Sequence, residues 1–149
     1  MHPTALRFAE RARAAGLEVD VLELSESSRT AEEAAAAAGC QLGQIVKSVV
    51  VVDGNGPLLC LTAGDRRVRL DALDARMARG QEVRDATGYA IGGVPPLGHE
   101  RPLRTVVDGS LHRFATVWCA AGTPHAIFAT GLADLLAAIP NHRVADVTE

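Results

Sequence analysis

Ile45-Val46-Lys47-Ser48-Val49-Val50-Val51-Val52 decides the fold class, together with the Asp53-Gly54-Asn55-Gly56-Pro57 cluster and the Leu58-Leu59-Cys60-Leu61-Thr62 run that follow it. β-Branched side chains fit the pleated, half-buried surface of a sheet, so the first run reads as a strand. A Gly/Asn/Pro cluster between two apolar runs marks a tight turn, which makes the pair a hairpin. Side chains alternate along a strand. Lys47 therefore shares a face with Val49 and Val51, while Val46, Ser48 and Val50 point the other way.

Helices surround this hairpin. Thr4 to Ala15 carries a helical apolar stripe through Leu6, Phe8, Ala12 and Ala15, with Thr4 able to cap it and Gly16 able to end it. Glu18 to Leu24 alternates as a short strand, and Ser25 to Arg29 is a polar turn. Thr30 and Glu33 form a capping box ahead of an alanine run that Gly39 stops. A third helix is expected from Asp71 to Gly80, with Leu73, Met77 and Ala78 inward. Tyr89 and Ile91 read as a strand end. Val106-Val107, Thr116 to Ala120 and Ala126 to Ala129 read as strands, Gly131 to Ile139 as a helix, and Val144 to Val147 as a last short strand. Strands and helices interleave without a regular βαβ period, so the expectation is an α+β fold with a mixed sheet. Neither a repeat nor a linker divides the chain, and residues 1–149 are read as a single domain.

Composition narrows the function. The chain has 149 residues and a formal net charge of −3, which excludes a nucleic-acid binder held by bulk positive charge. Any RNA contact must come from a local patch, for which Arg66, Arg67 and Arg69 are candidates. Aromatics make up 3%, too few for a base-stacking platform. Cys40, Cys60 and Cys119 are odd in number and lack C-x-x-C spacing, and the five histidines lack ligand spacing. No metal site and no cofactor are expected. No apolar run reaches the ~18 residues of a membrane span and the N-terminus does not resemble a signal peptide, so a reduced, cytoplasmic protein is expected.

Three segments can carry chemistry. Lys47 is the only lysine beside 14 arginines. An ammonium on an apolar strand face must reach water, an anion or a carbonyl. It serves either as a cation at a pocket mouth or as a lysine whose stem packs while its head snorkels out. Gly92-Gly93-Val94-Pro95-Pro96-Leu97-Gly98 cannot be regular helix or strand, and its glycines let backbone N–H groups approach a ligand. His125, at the Thr123-Pro124 turn, either lines a pocket or is a strand-end histidine satisfied by backbone. Asp108, Ser110 and His112 lie on one turn, which is not how a catalytic triad is assembled, and no P-loop is present.

Taken in order, Ile45–Val51, the Gly92-x-x-x-Pro96 loop and the segment Asp108, Leu111, Val117-Trp118, Ala121-Gly122, Pro124–Phe128 resemble the YbaK-like, prolyl-tRNA-editing family of aminoacyl-tRNA deacylases. The resemblance covers nearly the whole chain. It implies a barrel-like mixed sheet flanked by helices, and a hydrolase that cleaves in trans the ester of mischarged tRNA, with tRNA(Pro) carrying cysteine or alanine as the first candidate. The family's conserved lysine corresponds to Lys47 and its loop glycine to Gly92; with the neighbouring Gly93 N–H as a second backbone donor, these are the candidate catalytic groups. Ser48, Val94 and Pro96, which lie in the resembling segments, and Val49 and Ile91 as pocket walls with His125 at the rim, are the candidate substrate-binding residues. Mischarged tRNA is the implied partner, with a tRNA synthetase or elongation factor as a further candidate, and neither DNA nor a membrane. Alanine-specific members typically have asparagine after the lysine. Ser48 stands there here, which leaves cysteine, serine or threonine open as the residue removed. The competing expectation is a non-catalytic small-ligand or RNA-binding module that retains the fold.

Overall fold

The computed structural model describes residues 1–25 and 30–149. Most of the polar turn expected at Ser25–Arg29 lies outside the described residues. Helix α1, Pro3–Ala14, begins one residue before its expected start. Its cap is His2, whose Nδ1 accepts the Thr4 N–H at 3.0 Å, rather than Thr4. Strand β1 is Val21–Glu23 and helix α2 is Ala31–Ala38. The Thr30 hydroxyl accepts the Glu33 N–H at 3.1 Å, and Gly39 ends the helix in the left-handed region at φ 70°.

The hairpin is the centre of the fold. Strand β2, Val46–Asp53, pairs antiparallel with β3, Gly56–Ala63, across a two-residue turn at Gly54-Asn55. Arg104 fastens the turn, with both guanidinium nitrogens on the Asp53 carboxylate at 2.8 and 3.1 Å. Strand β5, Thr105–Asp108, adds parallel to β3, and β8, His142–Ala145, adds parallel to β5. A second, antiparallel sheet has the order β1-β7-β6, with β6 at Thr116–Ala120 and β7 at Ala126–Gly131. A parallel bridge between Ile45 and Trp118 joins the two sheets. The α+β, mixed-sheet reading therefore holds, with the sheet divided at that bridge.

Both faces of β2 are covered. Val46 and Val50 enter the main core with Leu59, Leu61, Phe8 and Phe128. Val51 packs on the other side with Leu58, Cys60, Val106 and Val147. Short helix α5, Leu132–Ala137, closes the main core through Leu132 and Leu135.

Three expected elements are corrected. The helix from Asp71 to Gly80 is absent. A single turn, α3 at Leu70–Leu73, ends at Asp74, which takes φ 49°. Arg76–Met77 then forms β4, which extends the sheet beyond β2 through the pair Val51–Met77 and leaves the Met77 side chain exposed. Gly80 opens the next helix, α4 at Gly80–Thr87. Glu82 caps that helix by accepting the Arg79 N–H at 2.9 Å. Tyr89 and Ile91 lie outside any strand. Tyr89 is buried in the following loop, where its hydroxyl donates to the Gly98 carbonyl at 2.8 Å. The last strand falls at His142–Ala145, earlier than its expected place.

Candidate functional site

The seam between the two sheets opens into a cavity of about 230 Å³. Val46, Lys47 and Ser48 of β2 line it together with Trp118 of β6, the strand bridged to Ile45. Gly92 and Val94 close one side of it. A second cavity, about 130 Å³, adjoins it and shares Ser48, Gly92 and Val94 with the first. Val49 and Ile91 line this smaller space. Six of the nine residues singled out from the sequence thus converge on two touching cavities.

The other three lie elsewhere or play another part. Pro96 is buried behind the loop and faces a separate hollow with Arg11 and His99. His125 faces a hollow with His2 and Glu23, on the far side of Pro124. Its carbonyl accepts the Leu24 N–H at 2.7 Å, and its Nδ1 is enclosed without a partner among the described residues. Gly93 donates its N–H to the Ala90 carbonyl at 3.0 Å. That bond closes the turn Ala90–Gly93, with Gly92 at the third position and φ 88°, the left-handed conformation a type II turn needs there. Of the two backbone donors expected from the loop, Gly93's is therefore engaged, while Gly92's N–H has no acceptor among the described residues. Gly93 serves packing instead: a Cβ there would lie 2.8 Å from Thr123 Cα.

Lys47 is half-buried and its ammonium donates to the Arg66 carbonyl. Burial lowers its pKa first, and the nearby Arg67 charge lowers it further, while Asp65 and Glu32 act in the opposite sense. Asp65 is held by Arg113 through two bonds of 2.8 and 3.0 Å, which keep its carboxyl below the usual range. The Lys47 head thus rests on a loop fixed by an ion pair, with a carbonyl it can exchange for another acceptor.

Two enclosed hydroxyls lack hydrogen-bond partners among the described residues: Ser48 Oγ and Thr62 Oγ1. Thr62 is fully buried and pairs directly with Lys47 across the hairpin. Sequence reasoning does not single it out, although counting back from a two-residue turn at Gly54-Asn55 gives that register. Trp118 belongs to the resembling segment, but nothing in the sequence signals that the second sheet lies against Lys47 and makes this side chain a wall.

Chemically the larger cavity offers a cation, the Gly92 backbone with an N–H that has no acceptor among the described residues, and mostly apolar walls with the Thr30 and Ser48 hydroxyls. Neither a carboxylate nor an imidazole is among its described lining residues. Cys119 also lines it, but burial pushes that thiol well above its ordinary pKa, which keeps it protonated and a poor nucleophile.

The model of the aminoacyl-tRNA editing domain matches residues 25–138. The chain belongs to the aminoacyl-tRNA editing domain family. This editing domain is 37% identical over 113 residues to the uncharacterized protein YwhH of Bacillus subtilis (strain 168), covering 71% of this chain and 72% of that one. It is 33% identical over 103 residues to a proline–tRNA ligase of Xanthomonas axonopodis pv. citri (strain 306), covering 64% of this chain and only 18% of the ligase. Among solved structures, it matches a candidate trans-editing enzyme for prolyl tRNA synthetase at TM-score 0.93 and 41% identity, over 100% of this chain and 99% of that one. The editing-domain match spans the Lys47 strand, the Gly92 loop and the Trp118 wall together.

Proposed function

We propose that this chain is a trans-acting deacylase that hydrolyses the ester of mischarged tRNA, with tRNA(Pro) bearing a small amino acid, cysteine and alanine included, as substrate. The observation that carries this reading is the pairing of a half-buried lysine with an unengaged Gly92 N–H at a small apolar cavity that lacks a side-chain base among its described lining residues. An aminoacyl ester is already activated, so stabilising the charge that develops on its carbonyl oxygen suffices. Water adds to the carbonyl carbon, the bond to the ribose oxygen breaks, and that oxygen takes the proton. The products are the free amino acid and a terminal tRNA hydroxyl. Gly92 N–H points the carbonyl, and Lys47 leaves the Arg66 carbonyl to hold the ester oxygen or the terminal phosphate. The water is activated by a group of the substrate itself, a ribose hydroxyl or the amine. The trans mode and the tRNA(Pro) assignment rest on likeness to the candidate trans-editing enzyme and to the ligase.

Lys47→Ala tests this directly. The variant loses most deacylation while its circular dichroism and melting stay near wild type, because the Lys47 ammonium bonds one backbone carbonyl among the described residues and its half-buried head is not part of the core. Near-wild-type turnover by a folded Lys47→Ala protein overturns the mechanism.

A further inference from the structure

Asp108 ends β5 as a buried carboxylate outside both cavities, and it anchors two arms. The first is the tail. Asp108 Oδ1 accepts the Val147 N–H at 2.9 Å and Oδ2 the Thr148 hydroxyl at 3.0 Å. The second is the short 3-10 helix Gly109–Arg113, held where Oδ2 accepts the Ser110 N–H at 3.1 Å and the Ser110 hydroxyl. Both arms reach the same segment. From the tail, the Val147 carbonyl accepts the Arg69 N–H at 2.8 Å, Thr148 bridges antiparallel to Val68, and the Glu149 N–H donates to the Arg67 carbonyl at 3.0 Å. From the 3-10 helix, Arg113 grips the Asp65 carboxylate through two bonds, while its Nε donates to the Ser110 carbonyl at 2.7 Å. Between these grips stands Arg66, whose carbonyl receives the Lys47 ammonium.

The position of that carbonyl is set from outside its own loop. Within the loop, the Arg66 N–H donates to the Ala63 carbonyl at 3.0 Å, and the remaining bonds of residues 65–69 run to the two arms. A lysine head on a four-carbon stem has much rotamer freedom and is strongly hydrated. It stays beside the larger cavity only while the acceptor it rests on stays, and among the described residues that acceptor is the Arg66 carbonyl. A carboxylate taken out of water is costly unless it is fully hydrogen-bonded, and four donors converge on this one.

We propose that Asp108 is a positioning residue for the deacylation: through the Val147–Glu149 tail and the Gly109–Arg113 helix it fixes the Arg66 carbonyl, and so holds the Lys47 ammonium beside the cavity between turnovers. This rests on the deacylase reading above and adds to it a residue that acts only through others. The near-isosteric Asp108→Asn breaks the arrangement whichever way the amide turns. An amide has one acceptor oxygen, so its NH2 faces either the Val147 N–H or the Ser110 N–H, and one arm is released. Thr148→Val removes one bond of the tail arm at nearly constant shape, and Thr148→Ser keeps it.

The test has two readouts, both taken at a temperature where every variant is folded. Lys47 is the only lysine, so protein grown on 13C-lysine gives one ε-methylene NMR signal, whose relaxation reports the mobility of that head. The other readout is single-turnover deacylation of alanyl-, seryl- and cysteinyl-tRNA(Pro). In Asp108→Asn the Lys47 head is expected to become as mobile as a solvated lysine and deacylation to slow about tenfold or more, since small misplacements of a reacting group carry losses of that order. Thr148→Val lies between Asp108→Asn and wild type in both readouts, and Thr148→Ser matches wild type. Arg104→Ala is the control: it frees the Asp53 turn at the far end of the hairpin, lowers the melting point, and leaves Lys47 mobility and rate unchanged. An ordered Lys47 or an undiminished rate in folded Asp108→Asn overturns the positioning role while leaving the deacylase reading intact, as does an Arg104→Ala protein that loosens Lys47 equally. Failure of the wild type to hydrolyse any of the three esters overturns the deacylase reading, and this proposal with it.

Discussion

Asp108→Ala removes a carboxylate that holds the C-terminal segment. Asp108 is 1% exposed and accepts the Val147 N–H at 2.9 Å, the Thr148 hydroxyl at 3.0 Å, and both the N–H and hydroxyl of Ser110. The tail it anchors runs beside the segment that receives Lys47. Arg69 N–H donates to the Val147 carbonyl at 2.8 Å and Glu149 N–H to the Arg67 carbonyl at 3.0 Å. Truncation leaves two buried donors, on Val147 and Thr148, without an acceptor. At ~1–3 kcal/mol for each orphaned group, with some relaxation, the loss is about 3 kcal/mol. For a chain of this length each kcal/mol moves Tm by ~2–4 °C, so the melting point falls by about 6–12 °C at pH 7. The pH dependence has a definite sign. Burial pushes the Asp108 carboxyl up, but the hydrogen bonds from Ser110, Val147 and Thr148 outweigh it, and the group titrates below its ordinary value. Its contribution is therefore complete above about pH 4, the unfolded-state pKa, and is lost as pH falls through the lower folded value. Thermal and urea melts of wild type and Asp108→Ala, at pH 7 and at successively lower pH, measure both effects. A Tm shift under about 2 °C at pH 7, or a gap between the proteins that does not shrink in acid, refutes the reasoning.

Gly93→Ala forces a Cβ to 2.8 Å from Thr123 Cα, which is backbone and cannot swing aside. Such overpacking costs about 1–3 kcal/mol and displaces the turn that presents Gly92. The expected outcome is a lower melting point and at least tenfold slower deacylation, whereas Gly54→Ala, whose Cβ meets nothing within 4 Å, melts and reacts as wild type. Replacing Arg67 and Arg69, both exposed beside the Lys47 loop, with alanine weakens tRNA binding and flattens its salt dependence. Each lost phosphate contact lowers the slope of log K against log salt by ~0.7–0.9, and titrations at several salt concentrations that show equal slopes remove this patch from the interface.

The hairpin was legible because two local signals agree. The valine run demands a strand, and Gly54-Asn55 fits the tight loop that returns it. The capping box at Thr30 was equally local. The region from Asp71 to Ile91 was not legible, because its apolar spacing mimics a helix while tertiary contacts decide otherwise. Met77 is used for its backbone, pairing with Val51 at the sheet edge, and its side chain is half exposed at the rim of the smaller cavity rather than turned into the core. Helix α4 has Val83 and Thr87 as its buried residues, too faint a stripe to read, and is set instead by the Glu82 cap and by Gly88 at φ 83°. At the site, strand alternation placed Lys47 and Ser48 on opposite faces. It could not show that the second sheet meets β2 at Ile45, which is what makes a cavity there. The role of Gly93 was also hidden, since its close neighbour Thr123 is 30 residues away in the chain.

The most direct measurement is the lifetime of the ester bond in tRNA(Pro) acylated with serine, alanine, cysteine or proline, with and without the purified protein. The expected result is accelerated loss of at least one small aminoacyl ester, with prolyl-tRNA(Pro) spared. Lifetimes that are the same for every ester in the presence and absence of the protein contradict the assignment of this editing domain as a deacylase.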